Sequence, residues 1–104
     1  MRSFLAVLVF AAAATATLSA ADASAGKAVY DKSCKGCHGV DGTPNAAIAK
    51  AMKVEMKDLK SPDVQGMSEA DIEKIITEGK GKMKPVASAK ASAADVAAYV
   101  KTLK

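Results

Sequence analysis

Apolar positions along this chain follow three regimes. From Phe4 to Ala14 they are unbroken, 11 residues in a row, and small residues dominate from Thr15 to Ala23. In the C-terminal half they become periodic. Ile72, Ile75 and Ile76 form one stripe, and Val96, Tyr99, Val100 and Leu103 follow the i, i+3, i+4, i+7 rule of an amphipathic helix. Between these regions the pattern breaks at clusters of glycine, proline and polar residues, which read as loops.

Each periodic segment carries start and stop signals. Ser68-Glu69-Ala70-Asp71 approximates a capping box with Asp in place of Glu, and Gly79 closes the helix that follows. The last helix is expected to start at Ser92, with Asp95 in its first turn and Lys101 and Lys104 near its C-terminal end. Upstream, Ser24 is the expected N-cap of a first helix running towards Cys34. Gly26 and Tyr30 lie one turn apart on its face. A glycine within a helix costs about 1 kcal/mol relative to alanine, so Gly26 points to a close helix contact there, with Val96 and Tyr99 as partners.

Thr43 and Pro44 read as N-cap and first residue of a short second helix, with Ile48 and Met52 as its apolar face. Residues 53–66 show no period and are broken by Ser61-Pro62-Asp63. They are expected to form an irregular segment with Val54, Met56 and Leu59 turned inward. No strand-period segment or internal repeat is found, so the fold class is all-α.

The N-terminal run has the anatomy of a secretory signal peptide: Arg2, an apolar stretch, then small residues. The expected division is a leader over residues 1–21 and one domain over 22–104. Cleavage after Ala20, Ala21 or Ala23 each places a small residue before the cut. The competing reading is an uncleaved anchor, but 11 residues fall short of the roughly 20 that a membrane span needs. No eukaryotic transit peptide is evident, which makes a bacterial periplasm the expected destination.

Composition sharpens this picture. A chain of 104 residues supports one small domain, and only 4% of them are aromatic. Such a core is short of bulk, and a large buried cofactor would supply it. The net charge is +4, and Arg2 is the sole arginine. With no basic run interleaved with aromatics, nucleic acid is not an expected partner.

The chemistry centres on Cys34-Lys35-Gly36-Cys37-His38. C-x-x-C-H is a c-type haem attachment signal. Two thiolates three positions apart can add across the two vinyl groups on one haem edge, and the next histidine is brought under the iron. A thioredoxin-like pair belongs near a βαβ pattern, which is absent here. A zinc site would lack its usual four ligands, since the chain has 2 cysteines and 1 histidine. A disulfide over so short a loop constrains little.

A metal-ligating histidine usually donates its other N–H to a carbonyl or carboxylate, and the carbonyl of Pro44 is the expected acceptor for His38. Met83 stands alone among glycines and lysines in Gly79-Lys80-Gly81-Lys82-Met83-Lys84-Pro85, where core filling does not explain it. Its thioether can serve as sixth iron ligand. Met56 and Met67 are rivals in the irregular region, while Met52 reads as core.

These residues, in this order, resemble a class I monohaem cytochrome c, near the small bacterial c6/c553-like group. The resemblance spans the mature chain: the Gly26/Tyr30 helix, the Cys34–His38 motif, the Leu59 segment, the methionine loop and the Tyr99 helix. It implies four to five short helices wrapped around one covalently bound haem c, with the first and last helices crossing through Gly26, Tyr30, Val96 and Tyr99. It implies thioether bonds at Cys34 and Cys37, His38 and Met83 as axial ligands, and Pro44 and Leu59 against the haem. The chain departs from many relatives in having no tryptophan and in placing Lys84 between Met83 and Pro85.

The implied function is a soluble periplasmic one-electron carrier rather than an enzyme, acting as a monomer with no small-molecule substrate. Lys35, Lys80, Lys82 and Lys84 would steer it to acidic faces of redox partner proteins, unless they are ordinary solvated charges. A haem subunit of a larger redox complex would share every one of these residues. A peroxidase or haem sensor is the less favoured reading, because His38 is the sole histidine and is already used.

Overall fold

The computed structural model describes residues 21–104, so the apolar run of the expected leader and the Ala20 cleavage position lie outside the described residues. Within them the chain forms α1 (Ala23–Ser33), α2 (Lys35–His38), α3 (Ala46–Met52), α4 (Pro62–Gln65), α5 (Glu69–Glu78) and α6 (Ala93–Val100). A 3-10 segment, Ala87–Ser92, leads into α6. Two of these helices, α2 and α4, are single turns, which accounts for a count above the four to five expected. Among the described residues there is no strand, and the fold is all-α.

The crossing of α1 and α6 is the centre of the molecule. A Cβ built on Gly26 would lie 1.9 Å from the Asp95 carbonyl oxygen and 2.9 Å from the Val96 nitrogen. Only a hydrogen fits there, and this is why the two backbones can touch. One turn on, Tyr30 is fully buried and meets Tyr99 edge-on, with ring centroids 5.1 Å apart at 62°, a favoured aromatic geometry. Val96 is buried beside them, and Ala89, Ala93 and Ala97 line the same core. From α5, Ile72 and Ile76 complete it and Ile75 is half-buried. The expected crossing residues are those observed.

The caps differ in instructive ways. α5 starts as expected, with Ser68 Oγ accepting from the Asp71 N–H, and stops at Gly79, whose φ is +80°. The cap of α1 is Asp22 rather than Ser24. Its carboxylate accepts from the N–H groups of Ser24 and Ala25, at 2.9 and 3.2 Å. Its own N–H donates to Asp95 Oδ1 at 2.8 Å, a tertiary contact that fixes the start of the helix.

α3 is capped by Asn45, not Thr43, and Pro44 lies outside the helix. Met52, expected in the core, is exposed at 38% where α3 ends. Ser92 stands at the N-cap position of α6 but its side chain makes no capping bond, because the preceding 3-10 segment already feeds the helix.

The segment 53–66 is not wholly irregular. Pro62 starts α4, for which its fixed φ is suited, and Val64 is buried in the core. Gln65 Nε2 donates to the carbonyls of Leu59 and Val100, at 2.7 and 2.9 Å. Lys101 Nζ donates to the carbonyls of Gln65 and Met67. The end of α6 is thereby clamped to α4, and Lys101 does more than complement a helix dipole.

Candidate functional site

The turn that carries the motif is built at the joint of two helices. Cys34 ends α1 and caps α2, and its N–H donates to the Tyr30 carbonyl at 2.9 Å. Its carbonyl accepts from the N–H groups of Cys37 and His38, at 3.2 and 3.0 Å. One helical turn therefore presents Cys34, Cys37 and His38 together, as the spacing requires. The two cysteines form no disulfide with each other; Cys34 is buried in the core cluster and Cys37 is exposed.

Burial and then the neighbouring Cys37 push the Cys34 thiol up to about 11. A redox-active dithiol needs the opposite, a lowered pKa that populates the thiolate. The zinc reading fares no better, because among the described residues no three His, Cys, Asp or Glu side chains converge as metal ligands.

His38 is half-buried, and desolvation lowers its pKa, which favours the neutral imidazole that ligates metals. Its Nδ1 is buried without a hydrogen-bond partner. The expected bond to the Pro44 carbonyl is thus not made. The loop is fixed instead through the next residue: the Asn45 N–H donates to the Cys37 carbonyl at 2.9 Å, and Asn45 Nδ2 to that of Gly36 at 3.2 Å. A metal held at the other ring nitrogen would leave Nδ1 still without the acceptor that ligating histidines usually have.

Around this turn the backbone is pinned from three sides. Tyr30 Oη donates to the Gly39 carbonyl at 2.7 Å and lies 3.3 Å from that of His38. Gly39 has φ +75°, and a Cβ there would strike the Thr43 carbonyl oxygen at 2.1 Å. Lys60 Nζ reaches both Asp41 Oδ2 and Thr43 Oγ1, at 3.1 and 2.8 Å. The Thr43 N–H and hydroxyl, with Lys60 beyond them, hold the Asp41 carboxyl down to about 2. Leu59 is half-buried, and its N–H donates to the Gly42 carbonyl at 3.0 Å, which sets it beside the loop after His38. Pro44 is half-buried in that loop.

Met83 sits in a tight turn. Lys80 and Met83 exchange both backbone hydrogen bonds, at 2.9 and 3.0 Å, across Gly81 and Lys82, and Gly81 has φ +59°. A Cβ on Gly79 would lie 2.6 Å from the Met83 carbonyl oxygen. Met83 is half-buried, whereas Lys80, Lys82 and Lys84 are exposed. Lys82 Nζ donates to the Met52 carbonyl at 2.7 Å and so ties this turn to the end of α3. Of the rival methionines, Met67 packs against the core cluster and Met56 is half-buried in the extended stretch before α4.

Sequence reasoning missed Asn45 and Lys60, and it read Lys82 only as a docking charge. Asn45 carried a signal, since asparagine before an Ala-rich helical run is a strong N-cap. Lys60 and Lys82 carried none, because their partners are distant in sequence.

The donor set fits a covalently bound haem: two cysteines on one turn with no disulfide between them, a half-buried imidazole held neutral, and a thioether in a constrained loop.

Comparison with known proteins agrees with the geometry. The family described as cytochrome C oxidase, cbb3-type, subunit III matches residues 21–101. The solved structure of the KustC0563 c-type cytochrome is similar at 25% identity and a TM-score of 0.64, over 76% of this chain and 96% of that one. No curated protein matches the chain. Proteins of this kind bind haem c covalently, transfer electrons and work with redox partner proteins. The chain belongs to the cbb3-type cytochrome c oxidase subunit III family and is a small monohaem class I cytochrome c.

Proposed function

We propose that the protein is an exported one-electron carrier of the periplasm, with an N-terminal leader removed after Ala20, Ala21 or Ala23. The observation that carries this reading is the Cys34–His38 turn, where two cysteines and an imidazole held neutral share one helical turn. Cys34 and Cys37 would hold the haem by thioether bonds and His38 and Met83 would be the axial ligands. Pro44 and Leu59 would pack against it. Bound haem c supplies a reversible Fe(III)/Fe(II) change, and a thioether ligand raises its potential.

The chain's own residues keep the ligands in place. Tyr30 and Asn45 fix the backbone on either side of His38, and the Lys80–Met83 turn fixes the thioether. Two axial protein ligands would leave no open position for a substrate, which supports a carrier over a peroxidase or sensor. Lys35, Lys80 and Lys84 are exposed and suited to weak, salt-sensitive docking of a monomer on acidic partners.

The second reading is a haem subunit of a larger redox complex, favoured by the family's description as an oxidase subunit. It predicts co-purification with membrane-bound partners, and the carrier reading predicts recovery alone.

The test is the oxidised absorption spectrum of the exported protein, scanned into the near infrared. A weak sulphur-to-iron charge-transfer band, lost in Met83→Ala with haem still covalently bound, supports the assignment. Survival of the band in Met83→Ala refutes Met83 as ligand, and high-spin bands in the wild type refute the closed six-coordinate carrier.

A further inference from the structure

We propose that the exported chain is cut between Ala21 and Asp22, and that the new α-ammonium of Asp22 pairs with the Asp95 carboxylate, joining the two end helices. This rests on the reading of residues 1–21 as a removed leader. Two independent observations select the bond.

The first lies in the sequence. Leader-cleaving proteases read small side chains at the first and third positions before the cut. Cleavage after Ala20 would put Leu18 at the third position, cleavage after Ala21 puts Ser19 there, and cleavage after Ala23 puts Ala21 there. The bulky Leu18 disfavours the first site.

The second lies in the structure. Every polar group of Asp22 is used. Its carboxylate accepts from Ser24 and Ala25, its carbonyl accepts from the Gly26 N–H at 2.9 Å, and its N–H donates to Asp95 Oδ1 at 2.8 Å. Cleavage after Ala23 would remove all of these, one turn before the glycine where α1 crosses α6. The Ala21–Asp22 bond alone satisfies both conditions.

Hydrolysis of that bond consumes one water. The C–N bond breaks; the Ala21 carbonyl carbon takes the water's oxygen and leaves with the leader as a carboxylate, and the Asp22 nitrogen takes both of the water's protons and becomes the ammonium. That nitrogen is the atom already held against Asp95. An amide offers one N–H to the carboxylate, whereas an ammonium offers three and a full charge. A positive charge at a helix start opposes the helix dipole, and the carboxylates of Asp22 and Asp95 offset it. Asp95 gains as well, since it lies in the first turn of α6.

The experiment is intact-mass measurement and N-terminal sequencing of the periplasmic holoprotein. A chain beginning at Asp22 is the expected result. A start at Ala21 or Ser24 overturns the proposed site but leaves export standing, whereas a chain still beginning at Met1 overturns the leader reading itself. The ion pair is tested separately by salt titration of the unfolding midpoint. Asp95→Asn, and a one-residue extension before Asp22, are each expected to reduce the salt dependence of stability. Unchanged salt dependence in both overturns the pair.

Discussion

The Tyr30 hydroxyl donates to the Gly39 carbonyl at 2.7 Å, so the most deeply buried side chain of α1 holds the backbone next to His38. Burial, followed by nearby Cys34, pushes the phenol's pKa well up, and it stays protonated and able to donate at any working pH. Core packing and the placement of His38 are therefore one structure: the ring that meets Tyr99 also ends in the bond that steadies the Cys34–His38 turn.

Tyr30→Phe keeps the ring and removes that bond. Leaving a buried acceptor without a donor costs about 1–3 kcal/mol. Guanidinium unfolding of the holoprotein should show a lower midpoint with an unchanged slope. A loss below about 0.5 kcal/mol would mean that the Gly39 carbonyl finds water instead.

Gly26→Ala places a methyl group 1.9 Å from the Asp95 carbonyl oxygen. The obstacle is backbone, so α1 and α6 must separate. Overpacking costs about 1–3 kcal/mol, and the upper end is expected here. Equilibrium unfolding reads it, and an alanine variant as stable as the parent would contradict the crossing.

Lys82→Gln shortens the side chain that reaches the Met52 carbonyl and frees the methionine turn from α3. About 1 kcal/mol of support for the turn should be lost. On heating, the sulphur-to-iron band should vanish several degrees earlier while the helical signal melts as before. Lys84→Gln, a change of the same charge, is the control and should leave the band unaffected.

Asp41 gives a pH-dependent prediction. Its carboxyl is held near 2, below the ordinary value of 3.8, first by the Thr43 N–H and hydroxyl and then by Lys60. A depressed folded-state pKa stabilises the fold above the unfolded value and is lost as pH falls through the folded one. Asp41→Asn should lower the melting temperature at pH 7 and flatten the acid limb between those two values. Parallel melting curves across that range would refute it.

Much of this was legible in the chain. The Gly26/Tyr30 and Val96/Tyr99 pairing, the α5 stripe and the Cys34–His38 turn all rest on spacing within a few residues, and periodicity reports such features directly. What escaped was tertiary. Asp22 displaced Ser24 as a cap because Asp95, at the far end of the chain, holds its N–H. Asn45 displaced Thr43 because the motif's own carbonyls claim its backbone and amide. Val64 reaches the core through a single-turn helix too short to show a period.

The α1–α6 crossing has a consequence for how the protein is made. Its contacts join positions 73 residues apart, so α1 meets its main partner only after the last helix has been delivered. If the chain is exported N-terminus first, as proposed, Cys34, Cys37 and His38 emerge before α6. The turn would then be open to an attachment machinery before the core closes over Cys34. The order of delivery would set the window in which the haem can be joined.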